Sequence, residues 1–372
     1  MKIIVLGGAG EMAKRAVQDL VTQDDVERLT IADINTEAAN ELALSLKDDR
    51  VDVSTVDVMF HKKLVDTIRE YDVVASAVGP FYLFEKKVVD ACIEAGVHCT
   101  SICDDHDAVY SVLPLDEKAR QKKVKVMTGM GWTPGMSNLL ARKGYEEMEE
   151  IDLINIYWGG SANDSEGAAV ILHTLHIFDG YVPSFKNGDE IQVKAGSNPE
   201  PVDFVSPMGR VRTFNLGHPE PITIPRYLPD VKNVTLKGGL KESYLNNFMK
   251  FLSKARMTNS PIKKDLLGKA FKKSMPMFHR IGSAVSFSSI RVDVHGYKNG
   301  ARTTITYQAV DNMHNLTGIP LSIGALMLGR GEIKRMGVFA PEADGAVKPD
   351  KFIKELEKRN IDIHRQEESG IR

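Results

Sequence analysis

The chain has 372 residues, of which 42% are hydrophobic, a formal net charge of −2 and three cysteines. That length exceeds what one hydrophobic core usually organises, so more than one domain is expected. The balanced charge offers no general basic footprint for nucleic acid, no apolar run reaches the ~18 residues of a membrane span, and Cys92, Cys99 and Cys103 form neither an even set nor a Cys-x-x-Cys pair, which excludes a disulfide framework or a zinc site.

The chain opens on Ile3-Ile4-Val5-Leu6, an apolar run that meets glycines too early for a signal-peptide core; a soluble cytoplasmic protein is expected. Six short apolar runs follow one another through the first third: Lys2-Leu6, Leu29-Ala32, Val51-Val56, Val73-Ala77, Val97-Ile102 and Val124-Thr128. Between them, Gly10-Thr22, Glu37-Leu46, Lys62-Tyr71, Phe84-Ala95 and Leu115-Lys122 carry apolar residues at helical spacing. Strands alternating with crossover helices predict a doubly wound parallel sheet of the Rossmann type. After Gly135 the strands lengthen and alternate apolar with polar residues. Ile151-Trp158, Glu190-Lys194, Val211-Asn215, Val231-Leu236, Val285-His295 and Thr303-Val310 predict a mixed, mostly antiparallel sheet, with Gly167-Phe178 and Ser243-Lys254 as helices against it. Lys298-Asn299-Gly300 supplies the turn of a hairpin. The tail returns to helix at Ser322-Leu328 and Pro349-Arg359. The expected organisation is a Rossmann domain over 1–134, an α+β domain over 135–316, and a segment over 317–372 that returns to the first domain.

Gly8-Ala9-Gly10-Glu11-Met12-Ala13 sits between the first strand and the first helix, where Gly8 permits the tight turn and Gly10 lets the backbone approach a pyrophosphate held by helix N–H groups. Asp33 ends the second strand, at the offset from which a carboxylate accepts from ribose hydroxyls. It would repel a 2′-phosphate, and Ile34-Asn35 put no arginine beside it, so NAD is expected, with NADP still open. Asp57, after the third strand, reads as an adenine contact or as a helix cap. Ser76-Ala77-Val78-Gly79-Pro80 ends the fourth strand near the topological switch point, where the nicotinamide half of a dinucleotide belongs.

Gly131-Trp132-Thr133-Pro134-Gly135 closes the last Rossmann strand and is expected to line a cleft between the domains. With the glycine turn and Asp33, the segments Gly131-x-x-Pro134-Gly135-x-x-Asn138, Tyr157-x-Gly159-Gly160, Glu220-Pro221-Ile222-Thr223-Ile224-Pro225-Arg226, Thr317-Gly318-Ile319-Pro320 and Gly337-Val338-Phe339-Ala340-Pro341-Glu342 occur in one order along nearly the whole chain. In these the chain resembles the saccharopine dehydrogenase-like family, the saccharopine reductase and lysine 6-dehydrogenase group. The resemblance implies a homodimeric NAD(P)-dependent enzyme that moves a hydride to or from the amine-bearing carbon of an amino acid or related amine. The sequence departs from the family pattern at Trp158-Gly159-Gly160-Ser161-Ala162, at Thr133 and at Ser101, positions that bear on the substrate and leave the glycine turn untouched.

Pro80, Trp132, Pro134, Tyr157, Gly159, Gly160 and Arg226 are the candidate substrate residues, the last for its planar fork of donors suited to a carboxylate. For the proton acceptor, Asp104, His106 and Lys237 are candidates, set against a capped polar loop for the first two and a solvated lysine for the third. His173 and His176 lie one turn apart on a helix without a third ligand nearby, so packing is expected and no metal. The basic, apolar stretch from Lys250 to Arg280 reads as a solvated helical face, a lid for an anionic substrate, or a patch making weak membrane-surface contact. Two other activities suit the same fold: a reductase of a lipid or enoyl substrate, and a silent NAD-binding sensor.

Overall fold

The computed structural model describes residues 1–164, 168–255, 257–258, 263, 266–268 and 286–370. The chain divides into two compact units, Met1–Met136 with Thr317–Glu355, and Ser137–Leu316 with Leu356–Arg372.

In the first unit β1 (Lys2–Leu6), α1 (Glu11–Leu20), β2 (Arg28–Asp33), α2 (Thr36–Leu46), β3 (Val51–Thr55), α3 (His61–Ile68), β4 (Val73–Ser76), α4 (Phe81–Ala95), β5 (His98–Ser101), α5 (His106–Val112), α6 (Asp116–Gln121) and β6 (Lys125–Met127) follow in order, with a 3₁₀ turn over Leu113–Leu115. All the strands pair in parallel, in the order β15-β6-β5-β4-β1-β2-β3, where β15 is Gly337–Phe339. The order reverses between β1 and β4, the switch point of a doubly wound sheet. Six strands were expected and the sheet has seven, because the late segment Gly337–Phe339 adds an edge strand beside β6. Ile3, Ile4, Val5, Val73, Val74 and Ala75 are fully buried, as strands covered on both faces must be. The helix α1 turns Met12, Ala13, Ala16, Val17 and Leu20 inward, and burial of each larger aliphatic side chain stabilises the fold by about 1.5–3 kcal/mol. From the late part of the chain, Ser322 Oγ donates to Asp19 Oδ2 at 2.6 Å and tethers its own helix to α1.

The second unit holds α7 (Met136–Glu146), β7 (Glu150–Gly160), α8 (Ala168–Ile177), β8 (Tyr181–Lys186), β9 (Asp189–Lys194), β10 (Glu200–Asp203), β11 (Arg210–Asn215), α9 (Glu220–Tyr227), β12 (Val234–Leu240), α10 (Ser243–Lys254), β13 (Ser288–Lys298), β14 (Ala301–Asp311) and β16 (His364–Ser369). The helices α11 (Met313–Gly329) and α12 (Pro349–Glu357) complete the chain. The sheet runs β10-β11-β12-β7-β13-β14-β16, with β8 and β9 attached beside β12. Only β7 and β12 pair in parallel, so it is the mixed, mostly antiparallel sheet that was expected. The Asn299-Gly300 turn joins β13 to β14, with positive φ at both residues (51° and 71°), as a tight hairpin requires.

Several elements differ from expectation. The helices α5, α7 and α9 and the strands β8, β10 and β16 were not foreseen; Val231-Leu236 starts late, at Val234, because Asn233 turns its amide onto the Asp152 carbonyl at 2.8 Å. The tail is divided, residues 317–355 grouping with the first unit and 356–372 with the second. Val285 and, in the basic stretch, residues 256, 259–262, 264–265 and 269–280 lie outside the described residues.

Candidate functional site

The turn between β1 and α1 was expected to pivot on Gly8; the pivot is Gly7, whose φ is +70°. A Cβ there would sit 2.9 Å from the Ala77 carbonyl oxygen, so the β1 and β4 turns lie backbone to backbone and only glycine fits between them. Gly8 is required for a different reason, since its Cβ would press on the Val5 carbonyl at 2.8 Å and on Ile31 at 3.0 Å. Gly10 forms the N-cap of α1 in extended conformation, with no side-chain cap on the helix, and Glu11 and Met12 open its first turn. An uncapped helix start above a glycine cradle suits an anion held by backbone amides and the helix dipole.

Asp33 closes this cradle from β2. Its Oδ2 accepts from Ala9 N at 3.0 Å and its Oδ1 from Asn35 N at 2.9 Å. The carboxylate therefore fixes the turn it was expected to serve, and the adjacent Ile34 stands 70% exposed on the sheet edge. Asp57 accepts from Met59 N at 2.9 Å in a local turn ahead of α3, whose N-cap position is Phe60, so the carboxylate does not cap that helix. Arg50, just ahead of β3, is occupied by Asp48 and by the carbonyls of Val21, Gln23 and Val26. Ala77, Val78 and Gly79 lie beyond the end of β4, beside the Gly7 turn, and Pro80 caps α4. Ser76, grouped with them on sequence, turns its hydroxyl into the protein interior.

Around β5 the base expected at Asp104 has a buried neighbour, Asp105, whose Oδ2 accepts from Tyr82 N at 2.9 Å and caps α4. Asp104 and His106 flank it, half-buried. The hydrogen bond with Cys92, with burial behind it, pushes the Cys99 thiol well up, and burial does the same to Cys103, so neither is a ready nucleophile. Trp132 and Pro134 belong to a tight turn closed by Gly131 N donating to the Pro134 carbonyl at 3.0 Å. At Gly135, φ is +120° and a Cβ would collide with the Gly131 backbone at 2.3 Å.

In the second unit the expected substrate residues divide between the two faces of β7. Parallel register partners share a face, so Tyr157 lies with Lys237 and Trp158 with Gly238 on the other side. Lys237 is buried and ion-paired to Glu200, which also accepts from Tyr157 OH at 3.2 Å. Burial and the Glu200 charge hold the Tyr157 phenol well above its ordinary range. Gly159 falls on the Tyr157 face, against Val211 and Phe204, and Gly160 on the Trp158 face, so these residues do not converge on one ligand. Arg226 is exposed at the end of α9.

On the Trp158 face the structure assembles a group that sequence reasoning passed over. The His218 ring lies 6.1 Å from the Trp158 ring and 5.2 Å, edge-on, from the His173 ring, centroid to centroid. Its Nδ1 is 3.9 Å from Glu220 Oε2; both residues are buried, at 2% and 0% exposure. Ser137 Oγ donates to Glu220 Oε1 at 2.7 Å and Asn138 Nδ2 to Thr223 Oγ1 at 3.0 Å. Two of the segments that carried the resemblance thus meet, and Ser137 holds the carboxylate that lies beside a buried histidine and an indole. The signal available in sequence was Gly217-His218-Pro219-Glu220, two ionisable groups one residue apart in a proline-bounded turn.

Residues 3–127 match the family described as the saccharopine dehydrogenase NADP binding domain. Over that stretch the chain is similar to this family. Over its full length the fold matches that of saccharopine dehydrogenase (L-Glu forming) from Saccharomyces cerevisiae in its apo form, with a TM-score of 0.71 at 18% identity and 100% of each chain covered. A probable dehydrogenase from Thermotoga maritima aligns over 99% of this chain and 98% of its own, at 11% identity and a TM-score of 0.48, too distant to inform function. Among the described residues, no helix is long and apolar enough to cross a membrane.

Proposed function

We propose that this chain is a nicotinamide dinucleotide-dependent oxidoreductase that transfers hydride at the amine-bearing carbon of an amino acid or related amine. One observation carries the cofactor half: an uncapped α1 start on the Gly7–Gly10 cradle, locked to Asp33 through the Ala9 amide. The cradle fits a pyrophosphate, because added side chains at Gly7 and Gly8 would collide with the backbone that encloses it. In this reading the α1 amides hold the pyrophosphate, Asp33 holds the adenosine ribose, and the Ala77-Val78-Gly79 backbone supports the nicotinamide half. Asp33 and the commitment of Arg50 elsewhere favour NAD over NADP, although the matched family is named for NADP.

The bound cofactor would supply the hydride acceptor or donor; the chain must orient the substrate and manage a proton on its nitrogen. For that proton we assign His218, with the Glu220 carboxylate 3.9 Å from its Nδ1 and the Trp158 indole as an apolar wall for the substrate's carbon chain. Asp104 stays a second candidate, whereas the Lys237 ammonium is committed to Glu200. The family resemblance extends the reading to a homodimer, which light scattering on the purified protein would check.

Titration calorimetry with NAD, NADH, NADP and NADPH tests the cofactor half, and failure of all four to bind removes it. With binding secured, absorbance of the reduced cofactor over a panel of lysine-like and saccharopine-like amines tests the substrate half. A panel without turnover overturns that half alone.

A further inference from the structure

The first unit buries a carboxyl that the reading above does not use. Glu85, on the first turns of α4, is 1% exposed and lies against the carboxyl ends of β5 and β6. Its Oε1 accepts from Ser101 Oγ at 2.5 Å and from Thr128 Oγ1 at 3.0 Å. Its Oε2 is buried without a hydrogen-bond partner among the described residues. Ser76, the register partner of Ser101 on β4 and therefore on the same face, has a buried hydroxyl that is likewise without a partner. A row of hydroxyls from β4, β5 and β6 thus runs along the sheet edge beside the switch point, with one half-satisfied carboxyl on it.

The arrangement suits neither charge state completely. As a carboxylate, Glu85 keeps two donors on one oxygen but leaves the other bare in a medium of low dielectric. As an acid it is neutral, and the proton on Oε2 costs nothing in charge burial. The charged groups around it shift the balance little. Asp105, in the loop ahead of α5, repels the ionised form, and the Cys99 and Cys103 thiols are themselves held neutral. On α4, Lys86 is paired with Asp90 at 2.5 Å; on α3, His61 is bonded to Glu94 at 2.8 Å; His106 and Asp107 open α5. Burial, the largest influence, places the carboxyl at about 7.

In a doubly wound sheet whose α1 holds the pyrophosphate and whose β2 holds the adenosine, the nicotinamide half lies over the carboxyl ends of the strands beyond the switch point, β4 onward. The oxidised ring carries a positive charge there and the reduced ring none. We propose that Glu85 is a proton-linked positioning residue for the nicotinamide, ionised beneath the oxidised ring and protonated beneath the reduced one. The inference rests on the cofactor reading above and adds a site of proton uptake to it. When the ring gains a hydride and becomes neutral, one proton from solvent returns to Glu85; when it is oxidised, that proton leaves.

The test is binding, not turnover. Calorimetry of the full chain with oxidised and with reduced dinucleotide is run between about pH 6 and about pH 8.5, for wild type and Glu85→Gln, which keeps the Oε1 acceptor for Ser101 and Thr128. For wild type, preference for the oxidised form over the reduced form is expected to rise roughly three- to ten-fold with pH, and for the variant to stay level. Infrared difference spectra of wild type near pH 6.5 should also lose a protonated-carboxyl band on adding the oxidised form, a readout that needs no variant. Both dinucleotides binding with a preference independent of pH, or a pH dependence that survives in Glu85→Gln, would overturn the proposal while leaving the cofactor reading intact. If neither dinucleotide binds, both fall.

Discussion

Asp33 holds Ala9 and Asn35 through their amides, and in the proposed complex it also accepts from a ribose. Its replacement should therefore hurt twice, by loosening the cradle and by removing a charged acceptor from the ligand, each of which is worth about 1.5–3 kcal/mol. Asp33→Ala is expected to weaken NAD binding about 10- to 100-fold, with the fold preserved by circular dichroism; unchanged affinity would place the sugar elsewhere. Gly7→Ala meets both a left-handed backbone and the Ala77 carbonyl, and should lower stability by at least about 1–2 kcal/mol in urea titration. Sequence reading found this turn but put the pivot one residue late, because three glycines lie within four positions and only backbone geometry says which of them takes the positive φ. Glu85 and His218 escaped it for another reason. A glutamate on an amphipathic helix and a histidine in a proline turn look like surface residues until the strands beneath them are placed.

The parallel strands of the first unit are covered on both faces, so they stand out as unbroken apolar runs. Two of the missed strands, β10 and β16, are edges with little apolar signal: β10 contains Pro201, and β16 is His364-Arg-Gln-Glu-Glu-Ser369, exposed throughout. β15 escaped notice as three residues among glycines and prolines, held in place from outside. Asp116 Oδ1, at the start of α6, accepts from Val338 N at 2.9 Å, and its Oδ2 pairs with Arg120 at 3.0 Å. Asp116→Ala should release that edge strand, speeding amide exchange at Val338 and Phe339 while β1 and β4 stay protected, at a cost of about 1–2 kcal/mol. Uniform acceleration across the sheet would show that β15 is not a separable edge.

For the molecule as a whole, the buried Glu85 sets a pH dependence of stability. Its ordinary value of 4.5 rises to about 7 in the folded protein, so between those values the folded state holds a proton that the unfolded chain has lost. Stability falls as pH rises through that window, by about 3 kcal/mol, and is level above it. The half-buried His98 and His295, both lowered chiefly by desolvation, act in the opposite sense: their contribution is lost as pH falls below the ordinary histidine range. Comparing wild type with Glu85→Gln separates the two, and the variant should gain on wild type in urea midpoint from about pH 5 to about pH 8. A constant difference would mean that Glu85 does not titrate in the folded chain.

The chain passes between its two units at 136/137, at 316/317 and again at 355/356. As the polypeptide leaves the ribosome, the first hundred and thirty-odd residues emerge with β6 lacking its neighbour β15, and the second sheet follows without its last strand. Neither sheet is complete until its late strand emerges, so a nascent chain halted short of residue 337 should remain protease-sensitive at β6 and at β14, whose edge neighbours are missing, and emergence of residues 337–370 should bring protection to each.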